Sequence, residues 1–149
     1  MNARSVSIMS LFLQQKIRDL DQQILEYSKV AQYLQNELTT NRASEQVGKK
    51  IATNIAITSN AAKIIAEVAD LAEEKQLLFE TKNIPQLELS DEDNPIERSD
   101  IGYEEFQVAL DQLVLALEQE EMYEACQLML KYRNRIDQIR SEMRYAAAS

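Results

Sequence analysis

Leu13, Ile17, Leu20, Ile24, Tyr27, Ala31, Leu34 and Leu38 follow one another at alternating steps of four and three. That is the spacing of a heptad seam on one long α-helix. Such a helix cannot cover its own apolar stripe, so the remaining chain must supply a second and a third helix. An aspartate at Ile24 is accordingly expected to cost several kcal/mol, because it would put an unpaired charge into the seam. With two glycines, two prolines and no tryptophan in 149 residues, the chain has little turn chemistry for a sheet and few helix breakers.

The spacing predicts an all-α fold, a long antiparallel helical hairpin or coiled coil with a C-terminal helix or helix pair packed as a bundle. The first helix should begin near Ser5 or Ser7, either of which can cap its free amides, and run to about Leu38. Thr39 to Ser44 interrupts the seam, and Ser44 is the expected cap of a second helix reaching Thr81. That helix carries its own seam of Ile57, Ala61, Ile64, Val68, Leu71 and Leu78, interrupted by Lys75. Its earlier turns mix Ile51, Ile55 and Ile57 with Thr53, Asn54, Thr58, Ser59 and Asn60. Small polar residues either let two backbones approach closely or form a thin, solvated face. Residues 1–81 thus read as the hairpin, 82–102 as an acidic connection containing both prolines, and 103–149 as the C-terminal helical segment, cooperative with the hairpin.

In the connection, Leu87 and Leu89 are candidates for a short extended contact with a partner or with the bundle. Asp91, Glu92 and Asp93 invite a calcium reading, but a loop starting at Asp91 has Pro95 fifth, Ile96 sixth and Gly102 twelfth, where the helix-loop-helix pattern needs an oxygen ligand, glycine and glutamate. The C-terminal segment should open at Ser99 or Asp100 as cap, with Phe106, Leu110, Leu113 and Leu117 on one face. The stripe then slips around Glu118 to Glu121, and a second seam follows: Ala125, Met129, Tyr132, Ile136, Ile139 and Met143. Either a tight helix–helix turn lies between Gln119 and Met122 or one helix passes through with its stripe displaced.

The absence of histidine narrows function more than any residue present. It removes the usual general base near neutral pH and the commonest metal ligand. Neighbouring carboxylates such as Glu73 with Glu74 and Glu120 with Glu124 have nothing in the pattern that would place them in a pocket. No catalytic, cofactor or metal residues are therefore assigned, and the expected class is non-enzymatic. The single cysteine, Cys126, lies between apolar helical neighbours and reads as a small core residue that permits no internal disulfide.

The formal charge is −9, with eleven acidic against four basic groups in residues 51–100. That balance disfavours a general nucleic-acid coating role, since phosphate binding is driven by Lys and Arg. Two surfaces stand out as contacts. Val6, Ile8, Met9, Leu11, Phe12 and Leu13 cannot share one face at 3.6 residues per turn, so this end is covered either by the C-terminal part of the chain or by a docking protein. Lys131, Arg133, Arg135, Arg140 and Arg144 are either ordinary helix-end cations or a strip for an anionic partner.

No apolar run reaches the ~18 residues of a membrane span, and the start has no convincing signal peptide, so the expected location is cytoplasmic or within a macromolecular particle. The expected function is a structural or scaffolding subunit of a larger protein assembly, with self or other subunits as partners. An acidic helical assembly or export chaperone and a small helical subunit of a nucleoprotein complex are the alternatives.

Overall fold

The computed structural model describes residues 1–42, 47–88 and 97–148, with side chains over 1–40, 53–88 and 97–147. Its elements are helices α1 (Ala3–Arg42), α2 (Val47–Lys82), α3 (Tyr103–Gln119) and α4 (Tyr123–Ala148), with short 3-10 turns at Pro85–Leu87 and Arg98–Asp100. The fold is all-α, as the heptads predict, and the described residues contain no strand. The chain divides into two compact units, Met1–Lys16 with Leu77–Ser149 and, separately, Ile17–Gln76.

The first unit holds most of the core. Ile8, Met9, Leu13, Leu78, Leu110, Leu113, Leu117 and Met129 are fully enclosed. The start of α1 is apolar on both sides because both sides are covered here. Phe12 packs edge-to-face on Phe106 of α3 and Tyr132 of α4, with ring centroids 5.0 and 5.9 Å apart. The Lys16 ammonium caps the cluster 5.0 Å above the Tyr132 ring. The N-cap of α1 is Asn2, whose Oδ1 accepts the Ser5 N–H at 2.8 Å, rather than Ser5 or Ser7. Ser5 instead lies buried inside the first turn. Arg4 ties this end to α3 by an ion pair with Glu105.

Helix α2 ends where the sequence places its first proline. Ile84 takes the extended backbone that a residue before proline prefers, and Pro85 opens a 3-10 turn. Near this end Thr81 is fully buried, and its hydroxyl donates to the Leu77 carbonyl at 2.7 Å, which satisfies it within its own helix. The connection is not wholly a solvated loop: Ile84 and Leu87 are buried in the core. The expected extended contact at Leu87 is thus made to the bundle, and in a 3-10 turn. Leu89, the Asp91–Glu92–Asp93 cluster and the Ser44 cap lie outside the described residues.

Helix α3 starts one turn later than a Ser99 or Asp100 cap would set it. Gly102 is its N-cap and makes no side-chain capping bond, while Glu104 and Glu105 complement the positive end of the helix dipole. The displaced stripe near residue 120 is a true turn. Glu121 takes a left-handed φ of 57°, its N–H donates to the Glu118 carbonyl, and the Met122 N–H reaches back to Leu117 at 2.9 Å. This is the left-handed helix ending that glycine favours, occupied by glutamate. Glu121→Gly is expected to stabilise the first unit by about 0.5–1 kcal/mol, visible as a thermal midpoint raised by a few degrees. A lowered midpoint would mean that the glutamate side chain contributes more than the backbone loses.

Helices α3 and α4 run antiparallel, as successive pairs away from the turn record: Cys126 with Val114, Arg133 with Gln107, Tyr103 with Asp137. Ala125, Met129 and Tyr132 are buried as the second C-terminal seam predicts, and Ile136 is half-buried. Ile139 and Met143, read as the same seam, are 47% and 68% exposed. Tyr103, the first residue of α3, already pairs with Asp137 and Arg140, so α4 runs on past the start of α3.

The second unit consists of α1 from Ile17 and α2 as far as Gln76. Lys75, which interrupts the α2 seam, pairs with Asp21. Asp21 lies far from the C-terminal end of α1 and Lys75 far from the N-terminal end of α2, so the two run antiparallel. Among the described side chains of this unit, Ile17, Leu20 and Ile57 alone are buried. The seam residues Ile24, Ala31, Leu34 and Leu38 on α1, and Ala61, Ile64, Val68 and Leu71 on α2, are half-buried, while Tyr27 is exposed.

Candidate interaction surfaces

The two surfaces singled out in the sequence have different fates. Val6, Ile8, Met9 and Leu13 are buried and Leu11 and Phe12 half-buried within the first unit. The chain itself supplies the cover of the four buried side chains, leaving Leu11 and Phe12 partly accessible. The five C-terminal cations do not form one strip. Arg133 donates to Gln107 Oε1 at 2.8 Å and pairs with Asp111, and Arg140 lies 3.5 Å above the centre of the Tyr103 ring. Lys131, Arg135 and Arg144 are exposed, and at 100° per residue Arg144 projects on the side of α4 opposite Arg135.

Arg133 and Arg140 belong to a polar ladder along the α3–α4 groove. Gln107 donates its amide to Asp137 at 3.1 Å, and the Tyr103 hydroxyl donates to the same carboxylate oxygen. The hydrogen bond to Asp137, then desolvation and the Asp137 charge, push the Tyr103 hydroxyl above its usual range, against the opposing pull of Arg140. Every member is at least partly solvated, so these contacts fix the helix register more than they add stability. The sequence could have shown this: Tyr103, Gln107 and Asp111 are spaced at i, i+4 and i+8, and their partners Arg133 and Asp137 at i and i+4.

Other chemistry is sparse. A shallow, open groove of about 300 Å³ beside the α3–α4 turn is lined by Leu77, Met122, Tyr123 and Ala125 with Glu80, Glu121 and Glu124. It sets carboxylates beside apolar side chains with no cation among them. No three described carboxylates or thiols are grouped to hold a metal ion. No described helix is long and apolar enough to cross a membrane.

Cys126 is buried, donates weakly to the Val114 carbonyl at 3.7 Å, and has its thiol pushed up first by burial and then by the Glu118 charge. Its rate with a thiol-specific disulfide reagent at pH 8 is expected to be at least about 100-fold lower in the folded chain than in denaturant. Equal rates would place the thiol at the surface.

What remains is the second unit, two helices with heptad seams and almost no buried residue. Leu25, Val30 and Tyr33 on α1 and Ile55 and Ile65 on α2 are large apolar side chains open to solvent. Comparison with protein-family models, curated proteins and solved structures returns no match.

Proposed function

We propose that the chain is a non-enzymatic structural or scaffolding subunit of a larger protein assembly, acting through helix–helix contacts of the 17–76 hairpin. One observation carries this reading: the hairpin keeps a heptad pattern over many turns of both helices, yet buries only Ile17, Leu20 and Ile57 among its described side chains. Long exposed apolar faces on a regular helix pair are what interaction surfaces require and what an isolated domain avoids. The first unit has the enclosed core that the second lacks, so it serves as the folded anchor from which the hairpin works.

A photo-crosslinking residue placed at Leu25 or Tyr33, both exposed, tests this in the source cells. The expected product is a defined crosslink to another protein chain, self or foreign, within a multi-chain complex. A hairpin that crosslinks to no chain from either position would overturn the reading.

A further inference from the structure

The outer face of α2 has a second seam beside the one that faces α1. Ile55, Thr58, Ala62, Ile65, Ala69, Ala72 and Gln76 again alternate by three and four, over three heptads. From Thr58 onward each directly follows a residue of the inner seam, so the second stripe lies about 100° around the helix from the first. All seven are exposed, Ile55 and Ile65 by 65% and 62%. None is charged, and the whole stretch 51–62 contains no charged residue. A solvent-facing helix normally carries charges on its outer side; this one carries none between Lys50 and Lys63.

The order of side chains along the stripe says what covers it. Read backwards from the midpoint at residue 67, Ile65 meets Ala69, Ala62 meets Ala72 and Thr58 meets Gln76. A foreign helix sets no such condition, whereas a two-fold axis requires every position to suit its mirror position. Here the large Ile65 falls against the small Ala69, the alanines at 62 and 72 let the backbones come close, and the polar pair Thr58 and Gln76 lies towards the ends. Charge agrees with the same direction. Glu73 borders the stripe: a parallel partner would set it beside its own copy, while an antiparallel one sets it beside the uncharged turn around Ser59 and Ala62.

We infer that α2 pairs antiparallel with α2 of a second copy of this chain along Thr58–Gln76, making the hairpin a self-association element. The inference rests on the scaffolding reading above and names its first partner.

Light scattering on the purified full chain from about 1 to 100 µM should show a monomer passing to a dimer. Ile65→Lys, at an exposed position, should keep the wild-type circular dichroism and weaken dimerisation at least tenfold. Under mild oxidation, Ala62→Cys mixed with Ala72→Cys should give a disulfide-linked dimer, because these positions face one another. Either variant alone should give little, since in an antiparallel pair the two copies of each lie about 15 Å apart along the axis. The wild-type chain, whose Cys126 is buried, is the control. A monomer at every concentration, a dimer indifferent to Ile65→Lys, or cysteine variants that each link only to themselves would overturn the inference. If Leu25 and Tyr33 then still crosslink to another protein, the scaffolding reading survives and the partner is foreign; if they crosslink to nothing, both fall.

Discussion

Leu13→Ala should destabilise the first unit by about 3–5 kcal/mol, while Ile24→Ala, on the same seam of the same helix, should cost only about 1 kcal/mol. Leu13 is fully enclosed, in a core that includes Met9, Leu110, Leu113 and Met129, so truncation leaves a cavity that no neighbour can fill without moving. Ile24 is half-buried, and in a two-helix hairpin a shortened side chain is partly replaced by water. The same geometry lowers the expected cost of Ile24→Asp below the several kcal/mol that the heptad alone suggests, because a carboxylate there reaches solvent. Urea melts followed by circular dichroism, with hydrogen exchange to assign each loss to its unit, make the comparison. Equal losses at the two positions would mean that the hairpin is as well covered as the first unit, and with it the case for an open interaction face would go.

The contrast between those positions marks what periodicity can convey. Steps of three and four fix that residues share a face, so the helices were legible from Leu13 to Leu38, from Ile57 to Leu78, from Phe106 to Leu117 and from Ala125 onward, while the displaced stripe near residue 120 left a turn and a continuous helix equally open. They do not fix how completely the face is covered, which depends on chain distant in sequence. Leu13 and Tyr27 occupy equivalent seam positions, yet one is enclosed and the other exposed. The apolar start of α1 showed that cover was needed on both sides, and only the folded chain shows that α3 and α4 provide it. Likewise the cations of α4 were visible as residues, but the pairing of Arg133 with Asp111 and of Arg140 with Tyr103 arises from the α3–α4 register. On α2 two adjacent stripes were both present in the sequence. The larger apolar side chains of Ile57, Ile64, Val68 and Leu71 mark the seam that meets α1, whereas Thr58, Gln76 and the alanines of the other read as ordinary surface.

The feature least visible in advance was the anchoring of the chain just past α2, and it carries the second large effect. Leu87→Ala is expected to cost about 2–4 kcal/mol, although the residue sits in a three-residue turn between a proline and an acidic stretch. A turn this short has no hydrophobic period, so composition alone assigned it to the connection. In the structure Leu87 and Ile84 are both buried. The turn holds them there through the Leu87 N–H to Ile84 carbonyl bond at 3.1 Å and the matching bond from Glu88 to Pro85. Burial of both residues makes the short turn just past α2 part of the core of the first unit. Truncating Leu87 should therefore lower the stability of the whole unit, with hydrogen exchange rising in α3 and α4 as well as around the substitution. A loss below about 0.5 kcal/mol, or faster exchange confined to residues 83–88, would show that the turn rests on the core without supporting it.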